Sequence, residues 1–336
     1  MKKEDFRIAM YGGVFFKTYA EYLRELGFDV ISGEPLHTES ECIDSLQSFD
    51  GVVAFGEPYN EKVFAAIGDK LKIIARFGLG YDAIDLSAAS KYGICVTNTA
   101  GTMASGVAET AFLLMLDCGR RFSKYDAKLH SGKWRKDYVG SELEGKTVGI
   151  VGLGSIGGKL AQYCMGFHCK LIAYDINMNK DLLMKHDIEY VSLNELARRA
   201  DYISIHCPAT PETNKLIDEK FLSMMKQTAF LINTSRGTVV DEKALVVALK
   251  HNIIAGAGLD VYETEPLKGN SELRGLENVT LLPHIASSTH ESMLECTEDI
   301  AKSLETFIDG KLPVHCLNTL FLKRSPNNKE IYEYDH

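Results

Sequence analysis

The sequence predicts an α/β protein built on doubly wound parallel sheets, and three observations predict it. Short apolar runs alternate with amphipathic helical patterns along most of the chain. Two longer helical patterns, residues 104–120 and 289–308, divide a first set of five runs from a second set of six. A glycine-rich turn joins one apolar run directly to the start of a helix. Such alternation sets strands side by side in parallel, with helices covering both faces. The 336 residues are length for about two domains at ~150 residues each.

In the first set, residues 7–11, 28–31, 51–55, 72–75 and 94–96 read as strands. Phe16, Tyr19, Ala20 and Leu23, at i, i+3, i+4 and i+7, mark one face of the helix after the first strand. In the second set the strands are 147–151, 170–174, 202–206, 229–233, 254–259 and 279–282. Ser192 with Glu195, ahead of Leu196 and Ala197, reads as a capping box, and Ser288 with Glu291 reads as another at the start of the second long helix. A compact arrangement lets the first domain begin at the N-terminus, be interrupted by the second, and be completed by the last long helix. Periodicity alone leaves that discontinuity open. Residues 319–336 form a polar tail outside both patterns.

Composition excludes several classes. With 45% apolar and 25% charged residues, 28 Gly and 8 Pro, the chain is not disordered, collagen-like or coiled-coil. A net charge of −9 removes the global basic field of a nucleic-acid binder. The longest strongly apolar stretch, residues 111–116, is far short of the ~20 residues of a membrane span, and no apolar segment follows the N-terminal lysines. Neither nucleic acid nor membrane is an expected partner, and a cytoplasmic location is expected. The eight Cys residues include no C-x-x-C pair. Cys164 and Cys169, flanking residues 165–168, read as buried reduced thiols rather than a metal site.

The sharpest local signal is Gly152-Leu153-Gly154-Ser155-Ile156-Gly157. It follows the strand 147–151 and opens a helix over 156–166, and Asp175 ends the next strand 18 residues past Gly157. That is the context of a dinucleotide-binding fold. Gly152 allows the tight turn, Gly154 lets the backbone approach a pyrophosphate, and Gly157 lets the helix pack on the strand. Helix N–H groups and the dipole take the phosphate charge. Asp175 suits the two adenosine ribose hydroxyls and would repel a 2′-phosphate. Residues 176–178 supply no Arg clamp, so NAD is expected over NADP.

Three further polar sites end later strands, where open parallel sheets hold their ligands. They are Asn233-Thr-Ser-Arg236-Gly237, Asp260-Val-Tyr-Glu-Thr-Glu265-Pro266 and Pro283-His284-Ile-Ala-Ser287. One such residue after a strand is usually solvated or structural; three in succession point to a site. Oxidising an α-hydroxy acid requires a base for the hydroxyl proton while hydride leaves C2. Histidine, with an ordinary pKa of ~6.5, suits that task. A carboxylate beside it favours the imidazolium needed in the reductive direction. A planar guanidinium matches a substrate carboxylate better than Lys does.

These segments, with the glycine fingerprint, resemble the D-isomer-specific 2-hydroxyacid dehydrogenase family. Further matching segments are Ala75-Arg-Phe-Gly-Leu-Gly-Tyr-Asp-Ala-Ile-Asp85, Asn98-Thr-Ala-Gly101 with Val107-Ala-Glu109, and His206-Cys-Pro-Ala-Thr-Pro-Glu-Thr213. The resemblance runs from about residue 50 to 318. It implies a Rossmann NAD-binding domain, residues 101–287, inserted in a flavodoxin-like substrate domain, residues 1–100 and 288–318, and a homodimer formed through the NAD domain. It implies NAD as cofactor and a small 2-keto or 2-hydroxy acid as substrate. On these positions His284 is the general acid/base, Glu265 its orienting partner, and Arg236 the ligand of the substrate carboxylate and keto oxygen. Backbone N–H groups of Gly78, Leu79 and Gly80 take the other carboxylate contacts. His206, Cys207, Pro208, Thr213, Thr234, Ser235 and Asp260, with Ser155 and Ile156 of the fingerprint, line the cofactor; a strand-end cap is the lesser alternative for Asp260. Glu263 competes with Glu265, but the family glutamate directly precedes Pro. His290 is the rival histidine and falls at the start of the last helix.

Three positions depart from the family pattern near the expected hinge or nicotinamide: Met103 where Asn is usual, Ala100 where Pro is frequent, and Ser287 in place of a common Gly. The phosphoglycerate branch often carries an Arg after the third strand; residues 52–59 have no Arg or Lys, and Glu57 is expected to repel a dianion. The 18 residues between Glu265 and His284 are fewer than in the D-lactate branch. The glyoxylate/hydroxypyruvate group and short phosphoglycerate dehydrogenases are the nearest expectations. A non-enzymatic, NAD(H)-sensing corepressor-like role is the competing class. Formate dehydrogenase is disfavoured, because its histidine is not expected to pair with Glu.

Overall fold

The computed structural model describes residues 2–134, 136–178, 180–185 and 187–319. It divides into two units. One comprises the chain up to Met103 and again from Thr289 onward; the other is Ala104–Ser288. The sequence put these junctions at 100/101 and 287/288.

The first unit alternates strands and helices: β1 (Arg7–Met10), α1 (Lys17–Glu25), β2 (Asp29–Ser32), α2 (Glu39–Leu46), β3 (Gly51–Ala54), α3 (Glu61–Ile67), β4 (Ile73–Arg76), α4 (Leu86–Lys91) and β5 (Cys95–Thr97). The second unit follows with α5 (Ala104–Arg120), α6 (Phe122–His130), β6 (Thr147–Val151), α7 (Ser155–Met165), β7 (Lys170–Tyr174), α8 (Lys180–Lys185), β8 (Ile188–Tyr190), α9 (Leu193–Arg199), β9 (Tyr202–Ile205), α10 (Glu219–Met224), β10 (Phe230–Asn233), α11 (Glu242–Lys250), β11 (Gly256–Leu259) and β12 (Val279–Leu281). Helix α12 (His290–Ile308) returns to the first unit.

All strand pairs are parallel. The first sheet runs β2-β1-β3-β4-β5 and the second β12-β11-β10-β9-β6-β7-β8. These are the flavodoxin-like and dinucleotide-binding orders, with direction reversing between β1 and β3 and between β6 and β9. Both faces of each sheet are buried, which is why strands such as Gly51–Ala54 and Phe230–Asn233 read as continuous apolar runs. Alternate residues feed separate cores. Ile203, Leu231 and Ala257 pack to one side of the second sheet, and Tyr202, Phe230 and Ile232 to the other. In the first sheet Ile8, Val53 and Ile73 face α12, while Ala9, Val52 and Ile74 face the opposite core. Met103 packs against the α12-side core of the first unit.

Each of the eleven expected strands forms, but the second sheet has a seventh strand, β8. It is a three-residue edge strand with only Ile188 buried, too short for a periodic signal. The box expected at Ser288 does not form. Thr289 caps α12 by accepting from Ser292 N–H at 3.1 Å, because Ser288 N–H is committed to a turn with Ile285 O. Ser192 accepts from Glu195 N–H at 3.2 Å, but Glu195 reaches forward to Arg199 at 2.7 Å instead of back to its cap. A complete box closes at Thr38 and Glu41, which sequence reading passed over. Among the described residues, no helix is long and apolar enough to cross a membrane. Residues 320–336 of the expected tail lie outside the described residues.

Candidate active site

Strand register organises the second unit. Tyr174 pairs with Val151, Val151 with Ile205, Ile205 with Asn233, Asn233 with Leu259, and Leu259 with Leu281. One row therefore crosses the sheet at the carboxyl ends of six strands. The next residue on each is Asp175, Gly152, His206, Thr234, Asp260 and Leu282. Five of these six are positions singled out from the sequence.

The three glycines behave differently from one another. Gly152 has φ +94°, and a Cβ there would lie 2.6 Å from Cys207 N. At Gly157 a Cβ would lie 2.3 Å from Gly152 O, so helix and turn meet only without a side chain. Around Gly154, which caps α7, no atom lies within 4 Å of a Cβ, leaving open space in front of the helix. The N–H groups of Ser155 and Ile156 have no acceptor among the described residues. Asp175 Oδ2 accepts from Leu153 N–H at 2.6 Å, and Oδ1 accepts from Asn177 N–H at 2.8 Å, which fixes the carboxylate beside the turn.

On the neighbouring strand ends, His206 Nδ1 and Thr234 Oγ1 are buried without a hydrogen-bond partner among the described residues. His206 Nε2 lies 2.9 Å from Ser204 Oγ, and burial pushes the imidazole down to about 4, so it is neutral near pH 7. Pro208 to Thr213 form a loop closed on itself: Thr213 Oγ1 donates to Pro208 O at 2.7 Å and accepts from Thr210 N–H at 2.8 Å. Burial pushes the Cys207 thiol up to about 11. Open space before a helix start and orphaned polar atoms on adjacent strand ends fit a dinucleotide lying across this edge.

The three charged residues gather at the far strands. His284 Nδ1 lies 2.6 Å from Glu265 Oε2, and Nε2 has no partner among the described residues. Burial pushes the Glu265 carboxyl up, but the His284 hydrogen bond and charge, Tyr262 N–H and the Arg236 guanidinium outweigh it and hold the carboxyl below its usual value. Glu263 instead accepts from Glu242 N–H at 3.1 Å and faces Lys215. Asn233 shapes the Arg236 loop: its Oδ1 accepts from Ser235 N–H and Oγ–H, and its Nδ2 donates to Arg236 O at 2.9 Å. Arg236 Nη1 donates to Ser235 O at 2.7 Å. A Cβ on Gly237 would fall 1.9 Å from Tyr262 C, so this loop packs directly on the backbone leading to Glu265. His290 is exposed as the first residue of α12.

Three expectations change here. Asp260 has no exposed surface, so the direct cofactor contact expected of it does not fit. Its carboxylate accepts from Ile285 and Ala286 N–H, each at 2.8 Å, and its carbonyl accepts from His284 N–H at 2.9 Å. Asp260 thus clamps the loop that holds His284 at φ +55°, a conformation that side-chain-bearing residues rarely adopt. Tyr262, which sequence reading missed, adds an OH donated to Leu282 O at 2.7 Å. In the first unit, Gly78 adopts φ +125° and donates its N–H to Thr99 Oγ1 at 3.0 Å, so it is not a free donor. The N–H groups of Leu79 and Gly80 have no acceptor among the described residues. Glu57 does not face a ligand either. It is 3% exposed, accepts from Phe55 N–H at 2.8 Å and from Tyr59 OH, and burial raises its carboxyl.

Residues 112–286 match the model of the D-isomer specific 2-hydroxyacid dehydrogenase NAD binding domain. The chain is 43% identical over 292 residues to a glyoxylate reductase of Thermococcus litoralis, covering 84% of this chain and 88% of that protein. The chain belongs to the D-isomer-specific 2-hydroxyacid dehydrogenase family. A glyoxylate reductase of Korarchaeum cryptofilum is 39% identical over 304 residues, covering 89% of this chain and 91% of the relative. The solved structure of an Aquifex aeolicus D-lactate dehydrogenase, complexed with NAD and lactic acid, superposes with a TM-score of 0.80 at 29% identity, covering 95% of this chain and 98% of that one. This member of the family is an oxidoreductase with an NAD(P)-binding domain, and its glycine turn and the row of strand ends belong to that domain.

Proposed function

We propose that this dehydrogenase reduces a small 2-keto acid with NADH, the nearest candidates being glyoxylate, which gives achiral glycolate, and hydroxypyruvate, which gives the D-2-hydroxy acid. The observation that carries the reading is the 2.6 Å pair of His284 Nδ1 and Glu265 Oε2. With Nδ1 held by a carboxylate, Nε2 is the nitrogen that hands a proton to the keto oxygen. Glu265 stabilises the imidazolium before transfer and keeps the ring oriented. In its own unit Arg236 is the residue assigned to polarising the keto oxygen and pairing with a carboxylate; in the first unit the N–H groups of Leu79 and Gly80 are the proposed anion donors. The nicotinamide, when bound, supplies the hydride to C2. In the reverse direction the same Nε2 takes the hydroxyl proton.

The small-acid reading is supported by the names of the two relatives. NADH over NADPH is supported by Asp175, whose carboxylate is held beside the glycine turn by Leu153 N–H and would repel the two further negative charges of a 2′-phosphate bound next to it. Unit Ala104–Ser288 is then the cofactor-binding domain, and the other unit binds substrate. A homodimer through the cofactor domain is supported by exposed Phe122 and Leu129 on α6 and Trp134 and Val139 beyond it. A panel of 2-keto acids including phosphohydroxypyruvate, read at 340 nm with NADH and NADPH in parallel, tests the reading. Glyoxylate or hydroxypyruvate should give the highest kcat/KM, with NADH strongly favoured. Equal kcat/KM with the two cofactors refutes the Asp175 argument, and preference for phosphohydroxypyruvate refutes the substrate assignment.

A further inference from the structure

Anion binding by Leu79 and Gly80 N–H demands that the loop after β4 be held still, and this inference rests on that reading. Two consecutive residues after β5 pin the loop. Thr99 and Gly78 exchange hydrogen bonds, with Gly78 N–H donated to Thr99 Oγ1 at 3.0 Å and Thr99 N–H donated to Gly78 O at 3.2 Å. Asn98 Nδ2 donates to Leu79 O at 2.9 Å. Behind Thr99 stands Cys296 on α12. Its sulfur lies 3.2 Å from Thr99 Oγ1 and 2.9 Å from Thr102 Oγ1, and Thr102 Oγ1 donates to Thr99 O at 3.0 Å.

Counting hydrogens fixes the direction of these bonds. The amide of Gly78 only donates and the carbonyl of Thr99 only accepts, while each hydroxyl and the thiol carry one hydrogen. Thr102 spends its hydrogen on Thr99 O, so Cys296 must donate to Thr102, and Thr99 must donate to Cys296. The relay then runs Gly78 N–H, Thr99 O–H, Cys296 S–H, Thr102 O–H, Thr99 C=O, with every hydrogen used. It needs a protonated thiol. Cys296 has no exposed surface, and burial raises its pKa against the opposing Thr102 and Thr99 bonds.

We propose that Thr99 and Cys296 are positioning residues for substrate recognition, tying the anion-binding N–H groups of Leu79 and Gly80 to helix α12. Neither touches a reacting atom. Breaking the relay strands a buried N–H or hydroxyl and lets the loop shift, which weakens carboxylate binding while leaving the proton donor in the other unit untouched.

The test compares Thr99→Val and Thr99→Ser, and Cys296→Ala and Cys296→Ser, using glyoxylate with saturating NADH, with NADH affinity from fluorescence as the folding control. The Thr99→Val and Cys296→Ala variants lack the relay's hydrogens; the two Ser variants retain them. The expected result is a KM for glyoxylate raised about tenfold in Thr99→Val and Cys296→Ala, with kcat within about twofold, and KM restored toward wild type in both Ser variants. Gly80→Pro, which removes one proposed donor, tests the underlying reading. Raised KM in Gly80→Pro with unchanged KM in Thr99→Val and Cys296→Ala overturns the relay and leaves the anion reading standing. Unchanged KM in Gly80→Pro overturns the anion reading and the relay's role with it. A fall in kcat alone in Thr99→Val and Cys296→Ala, or no rescue by Ser, also overturns the proposal. If Thr99→Val fails to fold, the Cys296 pair decides.

Discussion

Replacing Glu265 by Gln removes a charge and almost nothing else. Gln retains an oxygen to accept from His284 Nδ1, where the native bond measures 2.6 Å, and the two side chains are 34% and 50% exposed. Unit charges ~4 Å apart at an effective dielectric near 20 interact by ~4 kcal/mol. Solvent on both partners screens this toward the ~1.5–3 kcal/mol of a hydrogen bond to a charged group. At ~1.4 kcal/mol per decade, reductive kcat should fall about 10- to 100-fold. Steady-state NADH oxidation at 340 nm from pH 6 to 9 measures it, with NADH affinity as the control. Reductive kcat within twofold of wild type across that range would refute the role given to Glu265.

Two other predictions come from different parts of the site. Gly237→Ala would set a Cβ 1.9 Å from Tyr262 C, and the forced shift moves the Arg236 loop or the backbone that holds Glu265. We expect ~3 kcal/mol of lost stability and a roughly hundredfold lower kcat/KM, read by urea unfolding and kinetics; a wild-type midpoint would contradict the packing. His206 is held neutral, at about 4, whereas the unfolded chain binds a proton near its ordinary ~6.5. Stability therefore falls as pH drops from ~6.5 toward ~4, by at most ~3 kcal/mol, and levels off below. His206→Gln should remove that part of the slope, and identical urea midpoints against pH in both proteins would rule it out.

Much of this was legible because β-α alternation, backbone dihedral limits and strand ends are local. Gly152 sits at φ +94° in the turn read from its motif, and Asp175 directly follows its strand, which ends at Tyr174. What remained hidden depends on partners distant in sequence. An Asp after a strand looks the same whether it meets a ligand or turns inward, and Asp260 turns inward because Ile285 and Ala286 present their N–H groups 25 and 26 residues later. Gly78 looked like a donor until Thr99 claimed its N–H. Glu57 looked like a charge facing a bound dianion, but Phe55 N–H and Tyr59 OH draw it inside. Cys296 carried no signal, since a buried thiol in a helix is ordinarily packing.

The central claim is that one imidazole, held by Glu265, moves the proton while hydride moves at C2. His284→Gln tests it most directly, because it retains a polar side chain that cannot carry the proton. Glyoxylate-dependent NADH oxidation should fall by roughly 10³-fold or more, with NADH binding by fluorescence titration unchanged. Near-wild-type kcat in that variant would contradict the account.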